Sequence, residues 1–266
     1  MAIVDDRYIV AESLSCAWLD AVRCVDNLPG RKGVHLLIRI KQPLAEVPSI
    51  RSEAQNLIDT YNAKYPNRSP LYDLETTRNT IFPVAWASRF PDPEDLVAHF
   101  RRAYSNNDGL RSLSANQRGT YFGRIVSYPR ESNEVGNQLG ETIRKLRNEI
   151  ETRSRKSSRY EINIYSEARD GSPRGFPCLS HLSLHLDYPG LHMQAIYRNE
   201  SLLSRAYGNY LGLAALLHYV AKVVGLEVGE LLVTAGHVEL EPGLHKEIRM
   251  MLSRHSQDKL LAQAFE

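Results

Sequence analysis

Apolar positions recur every three or four residues over several stretches of the chain, and each such stretch predicts an amphipathic helix. Glu12 to Asp26 sets Leu14, Trp18, Val22 and Val25 on one face, and Leu28-Pro29-Gly30 ends it. Ser49 to Tyr61 repeats the spacing through Ile50, Leu57 and Ile58. Asp92 to Tyr104 opens on an N-cap aspartate followed by a first-turn proline. Asn137 to Ile150 carries Leu139, Ile143, Leu146 and Ile150 on one stripe. Tyr210 to Val224 is the longest apolar helix, and Gly243 to Leu261 is a further helical stretch. Strand patterns fall on Val34 to Ile40, Thr120 to Tyr128, Tyr160 to Tyr165 and Leu231 to Leu240. Leu182 to Leu186 and Leu191 to Tyr197 read as paired strands around Asp187-Tyr188-Pro189-Gly190, a turn sequence. Thr80 to Arg89 fits either a strand or a short buried helix.

Helices and strands interleave with no repeat, low-complexity tract or long linker, so one α/β or α+β domain is expected over residues 1–266. Composition changes this picture little. Hydrophobic residues make up 42% and charged residues 24%, and the formal net charge of +2 argues against a general nucleic-acid binder. Cys16, Cys24 and Cys178 are an odd number without CxxC spacing, which fits a reducing compartment. The first ten residues lack a signal-peptide core, and no run approaches the ~20 apolar residues of a membrane span. A cytoplasmic protein without a membrane partner is expected.

Cys178 is the first candidate for chemistry. It follows Pro177, which fixes the local backbone, and a sulfur there can face a pocket if a cation or backbone donors favour its thiolate. The competing reading is a small buried hydrophobe. Arg198 ends one strand-like run and Arg159 begins another, so the two suit a bidentate phosphate clamp or a pair of surface cations. Asn209 stands before an apolar helix, where it either caps that helix or, buried, reads a pyrimidine edge with its amide. His181, His185 and His192 do not complete a metal site, because no Asp, Glu or Cys lies at a suitable spacing. There is no GxGxxG or GxxxxGKS motif. Arg153, Arg155, Lys156 and Arg159 read more readily as a solvated face than as a binding patch.

Taken together, Phe176-Pro177-Cys178, Ser157-Ser158-Arg159, Tyr197-Arg198-Asn199 and Asn209-Tyr210-Leu211-Gly212-Leu213 resemble the thymidylate synthase family. Leu217-His218-Tyr219-Val220-Ala221 resembles its archaeal-type branch in particular. Thr120-Tyr121-Phe122-Gly123-Arg124 and Leu226-Glu227-Val228-Gly229-Glu230 match further family elements, and the likeness is clear over about residues 118–241. The resemblance implies an α+β fold with a mixed sheet flanked by helices, in a sheet-to-sheet homodimer. It implies Cys178 as nucleophile with Tyr121 among the catalytic residues, and Arg198 with a partner subunit's Arg159 on the phosphate. Asn209 would read a uracil-type base. The substrate would be a pyrimidine nucleoside monophosphate, and the carbon donor methylene-tetrahydrofolate.

Several family positions are altered. Leu179 replaces the histidine after the nucleophile, and the aspartate that anchors the pterin falls on Ser201. Pro83 to Arg89 offers no catalytic glutamate upstream of Tyr121. The His-x-Tyr pair that holds the sugar lands on Glu239 and Glu241, or on His237 and Glu239 after a two-residue shift. A serine cannot match the charge-assisted bonds, about 1.5–3 kcal/mol each, that a carboxylate makes to a pterin. Methyl or hydroxymethyl transfer from folate to C5 is therefore the leading expectation. A folate-independent tailoring enzyme and a non-catalytic nucleotide-binding homologue are the alternatives.

Overall fold

A computed structural model describes residues 7–106, 119–130, 135–152, 159–171 and 177–255. Its strands are β1 (Tyr8–Ser13), β2 (Lys32–Gln42), the short pair β3 (Tyr128–Pro129) and β4 (Val135–Gly136), β5 (Tyr160–Asn163), β6 (Leu179–Asp187), β7 (Gly190–Ser201) and β8 (Glu227–Glu239). Its helices are α1 (Leu14–Asp26), α2 (Pro48–Lys64), α3 (Leu74–Ile81), α4 (Val84–Arg89), α5 (Pro93–Asn106), α6 (Tyr121–Val126), α7 (Gln138–Thr152), α8 (Glu167–Asp170), α9 (Tyr207–Val224) and α10 (His245–Arg254). Six strands form one mixed sheet in the order β1-β2-β8-β7-β6-β5. β1 runs parallel to β2, and β7 parallel to β8, while the other pairings are antiparallel. This is the expected α+β architecture.

Strand alternation divides the sheet into two faces. One face carries Leu36, Ile38 and Ile40 from β2, Leu231, Val233 and Ala235 from β8, and Leu191, Met193, Ala195 and Tyr197 from β7, all buried. The other carries Tyr8, Arg39, Gln194, Ile196, Leu232 and Thr234, which remain half-buried or exposed. α9 packs on β7 and β8, α1 on β1 and β2, and α7 on β5.

α9 is apolar almost all round because it lies between the sheet and α3. Two glycines one turn apart allow the close approach. A Cβ on Gly208 would come within 2.6 Å of Thr77 Cβ, and one on Gly212 within 2.7 Å of Ile81 Cβ and 2.8 Å of the Arg78 carbonyl. The helix ends at Gly225, whose φ of 76° is left-handed.

The helices expected from apolar spacing are present to within a few residues; α10 is described as far as Arg254, and residues beyond 255 lie outside the description. Thr120 to Tyr128 is not extended. Thr120 Oγ1 accepts from the Gly123 amide at 3.0 Å and caps the six-residue α6, too short a helix to show its period among apolar residues. Thr80 to Arg89 resolves into the end of α3 and all of α4, broken at Phe82-Pro83. β1 gave no separate signal, because its alternation runs directly into α1, which Ser13 caps through the Cys16 amide. Asn209 is not a helix cap. A π-helical turn, Leu202–Ala206, leads without a break into α9, so Asn209 lies inside helical backbone.

Candidate active site

The Pro177-Cys178 segment is fixed by its neighbours in the sheet. Leu179 of β6 pairs with Tyr197, but His181 pairs with Ile196, so β6 holds an extra residue at Ser180. Such a bulge turns the strand and re-aims the side chains before it. The Ser180 carbonyl accepts from the amides of Ile164 at 3.0 Å and Tyr165 at 3.1 Å. Arg198 then grips the loop twice. Its amide donates to the Cys178 carbonyl at 2.9 Å, and its Nε donates to the Pro177 carbonyl at 3.1 Å.

The Cys178 thiol is half-buried, and burial raises its pKa above the ordinary value. The Arg198 cation works against that, Glu200 adds to it, and Arg205 and a hydrogen bond from Asn199 oppose it again. Burial outweighs the donors, so the resting group is a neutral thiol. Asn199 is itself held from the next strand. His237 is its register partner on β8, and His237 Nδ1 meets Asn199 Oδ1 at 2.5 Å. Since Oδ1 only accepts, His237 carries its hydrogen on Nδ1, and the Asn199 amide nitrogen is left to face the sulfur.

Tyr121, in the first turn of α6, has its hydroxyl in the same place. Burial first, then the Cys178 sulfur, push its pKa up to about 12, while the Leu179 amide donates to it and opposes the rise. It is therefore a hydroxyl at neutral pH. α6 is tied to the segment before the cysteine by a buried bidentate pair. Arg124 Nη1 and Nη2 reach Asp170 Oδ2 and Oδ1 at 2.7 and 2.9 Å, and Arg124 also donates to the Ile164 carbonyl at 3.1 Å.

A buried carboxyl acts on the thiol electrostatically. Along β7 the buried positions are odd-numbered as far as Tyr197, then shift to Glu200, and β8 shifts alike from Ala235 to Val238. Glu200 is 1% exposed, and Asn209, 4% exposed, donates from Nδ2 to Glu200 Oε1 at 3.0 Å. Burial drives the Glu200 pKa up to about 8, the Asn209 bond opposing and the Glu241 carboxylate adding. Glu200 Oε2 and the hydroxyls of Tyr197 and Tyr210 have no hydrogen-bond partner among the described residues, although all three are buried. Glu200 lies within electrostatic reach of Cys178, Tyr121, Tyr197 and Tyr210.

The remaining sequence candidates are placed less directly. Glu241 accepts from the amides of Leu203 at 2.8 Å and Ser204 at 3.1 Å, so its carboxylate caps the π-helical turn. Burial nevertheless raises its pKa, and those donors only moderate the rise. Glu239, the register partner of Ser201, pairs with Lys32 at 3.2 Å. Arg159 is at the far end of the site's strands: Tyr160 pairs with Leu184, and Leu184 is six residues along β6 from Cys178. At ~3.4 Å per residue that separation is roughly 20 Å. Its guanidinium lies 4.0 Å from Glu149, while Ser157 and Ser158 lie outside the described residues.

The chain thus brings Cys178, Tyr121, Arg198 and Asn209 together with His237 one residue further out, and it leaves Arg159 remote. Asn199, Glu200 and Arg205 also join the cluster, and the sequence reading gave them no role. Arg205 is the fourth residue of the π-helical turn and lies 4.9 Å from the Tyr72 ring centre. Glu200 had one available signal, its place two residues after Arg198. The slip in alternation that buries it is a property of the paired strands.

Among the described residues, no group of three or more His, Cys, Asp or Glu side chains could hold a metal ion. Both nitrogens of His181 are engaged, by Asn163 at 3.0 Å and by Glu161. His192 Nδ1 accepts from the Glu230 amide at 3.0 Å. No helix among the described residues is long and apolar enough to cross a membrane.

No curated protein matches the chain in a direct sequence comparison. The family model for thymidylate synthase does match, over residues 79–263, more than two-thirds of the chain and all of the cluster around Cys178. With the mixed sheet, the bulged cysteine segment and the Arg198–Asn209 register already in place, that match establishes that this chain belongs to the thymidylate synthase family.

Proposed function

We propose that the chain is a transferase acting at C5 of a uracil-type nucleoside monophosphate, with Cys178 as the attacking thiol. Family membership supports a pyrimidine nucleotide as substrate and C5 transfer as the class of chemistry. The observation that carries the reading is the convergence of Cys178, Tyr121, Arg198 and Asn199 in one cluster with the Glu200–Asn209 pair. Sulfur addition at ring C6 makes C5 nucleophilic, which is why the site needs a thiol. Arg198 supplies the cation for the phosphate, and Asn209 offers an amide to the base edge. Asn209, and the run through Ala221, also support the archaeal-type branch.

The nucleotide site requires a second subunit in this reading. Arg159 is roughly 20 Å from its own Cys178 by strand register, so it serves a phosphate only across a dimer. The open sheet face, with Tyr8, Ile196 and Leu232 among its outward residues, is the surface on which a partner sheet would pack.

Incubation with a 5-fluorinated pyrimidine monophosphate and methylene-tetrahydrofolate should give a covalent adduct on Cys178, detected by mass spectrometry and lost in Cys178→Ser. Nucleotide binding without any adduct, with or without folate, would remove transfer chemistry from the reading.

A second reading is favoured by the altered pterin position. Methylene-tetrahydrofolate is the family's general donor, but the residues near Ser201 do not fit it as that donor's anchor. Glu239, the register partner of Ser201, is paired with Lys32, Glu241 is spent on the amides of Leu203 and Ser204, and the adjacent Glu200 is buried against Asn209. That arrangement favours a folate-independent reaction at the same ring carbon. Calorimetry with methylene-tetrahydrofolate in the presence of nucleotide separates the two: tight binding sinks the folate-independent reading.

A further inference from the structure

We propose that Glu200 is the proton-holding group of this site and delivers its proton to the ring oxygen of a pyrimidine bound over Cys178. The inference rests on the nucleotide reading above and assigns it an acid. Geometry carries it: a carboxyl 1% exposed, within electrostatic reach of the thiol, and bonded to the amide assigned to the base edge. Its second oxygen has no hydrogen-bond partner among the described residues, and neither do the buried hydroxyls of Tyr197 and Tyr210. Buried polar atoms are almost always satisfied, so three unmet ones in one cluster mark a place for water. A water there would link Glu200 Oε2 to the bound base.

The proton inventory separates two carboxyls. Glu241 accepts three hydrogen bonds, from two amides and the Ser204 hydroxyl, which favour its anion. Glu200 accepts one, from a neutral amide, and has Glu241 as an acidic neighbour. Burial raises both acids, and with a single neutral donor on it Glu200 is the better placed to keep its proton. The titratable groups facing Glu200 are Cys178 ahead of β6, Tyr121 on α6, Tyr197 on β7, Tyr210 on α9 and Glu241 beyond β8. Arg205 faces Cys178 and Tyr121 in the same cluster.

The chemistry balances. The resting Cys178 thiol first gives its proton to solvent; when the thiolate bonds to C6, the C5=C6 electron pair moves toward C4 and places negative charge on O4. The Glu200 proton, passed through the water, converts that anion to an enol and leaves Glu200 as a carboxylate. On the return, the enol proton goes back to Glu200, C4=O and C5=C6 re-form, and the C6–S bond breaks to release thiolate. No oxidant, reductant or metal enters.

Glu200→Gln tests this, because it keeps an acceptor for Asn209 and removes only the proton. Full-length wild type and variant are compared for exchange of the C5 hydrogen of uracil nucleoside monophosphates with deuterated solvent. That exchange requires thiol addition, uptake of a solvent deuteron at C5 of the enol, loss of the original C5 proton to solvent and release of the thiol, but no carbon donor. We expect the variant's nucleotide affinity, by calorimetry, to stay close to wild type while exchange slows about 10²-fold. Because the neutral thiol must ionise to attack, the wild-type rate should climb with pH and level off above about 8 as Glu200 loses its proton, whereas the variant's rate should keep climbing. Infrared difference spectra of the free protein give a readout without activity. A protonated carboxyl stretch should be present well below pH 8, lost well above it, and absent from Glu200→Gln. Equal exchange rates with unchanged pH profile, or no protonated carboxyl in the wild type, overturn the proposal. A wild type that shows the carboxyl band but neither binds nor exchanges any pyrimidine monophosphate sinks the nucleotide reading, and the proton role with it.

Discussion

Cys178 owes its state to a balance between burial and three nearby groups, Arg198, Arg205 and Asn199, that favour the thiolate. Removing one of them shifts the balance further toward the thiol. In a background with Cys16 and Cys24 replaced by serine, Arg198→Ala and Asn199→Ala should each slow alkylation of Cys178 at mildly alkaline pH by about 3–10-fold. Equal rates in all three proteins would show that neither group touches the thiol's chemistry. Glu200 has a separate consequence for stability. Its folded pKa, about 8, lies above the ordinary 4.5, so the folded state binds the extra proton between those values. Stability from this group is therefore full below about 4.5 and is lost as pH rises through about 8, at up to ~1.4 kcal/mol per pH unit. Glu200→Gln removes that slope. Thermal midpoints of wild type and variant should diverge steadily from acid toward pH 8, in favour of the variant.

Two element contacts carry the site's geometry. Gly208 and Gly212 let α9 press on α3, and α9 is the helix that holds Asn209 and Tyr210 against Glu200. Gly212→Ala should destabilise the fold by about 1–3 kcal/mol despite the better helix propensity of alanine, because the new methyl meets backbone as well as side chain. Urea denaturation measures it, and a neutral result would show that α3 can yield. The Arg124–Asp170 pair locks α6, and with it Tyr121, to the chain leading into Pro177-Cys178. Arg124→Met leaves Asp170 buried with the Ser166 amide still donating to it. A loss of about 3–5 kcal/mol is expected, as for other broken buried pairs. At this scale the sequence was a good guide to long helices and a poor one to short elements. α6 is six residues long, less than two turns, so its apolar run has no period to distinguish it from a strand.

For the whole molecule, the remote Arg159 turns a question of assembly into one of activity. If the partner's Arg159 completes the phosphate site, Cys178→Ser and Arg159→Ala are each inactive alone. A refolded mixture should recover about a quarter of the sites, because one site of each mixed dimer takes both intact residues. Recovery of C5 exchange on mixing is the measurement. No recovery, with mixed dimers shown by mass, would place Arg159 outside the site.

The linear chain by itself determined the fold class and most of the nucleotide cluster. Apolar periodicity is local, and the spacing from Cys178 through Arg198 to Asn209 is preserved wherever β6, β7 and α9 pack in order. Its reading of Glu239 and Glu241 as sugar contacts had no way to register that Lys32 pairs with one and the π-helical turn occupies the other. Only the tertiary structure decided that Asn209 is interior helix, that Asn199 bridges His237 to the thiol, and that Glu200 is a buried acid. Each follows from contacts between residues distant in sequence, and from one slip in strand alternation that paired backbones make and no single strand records.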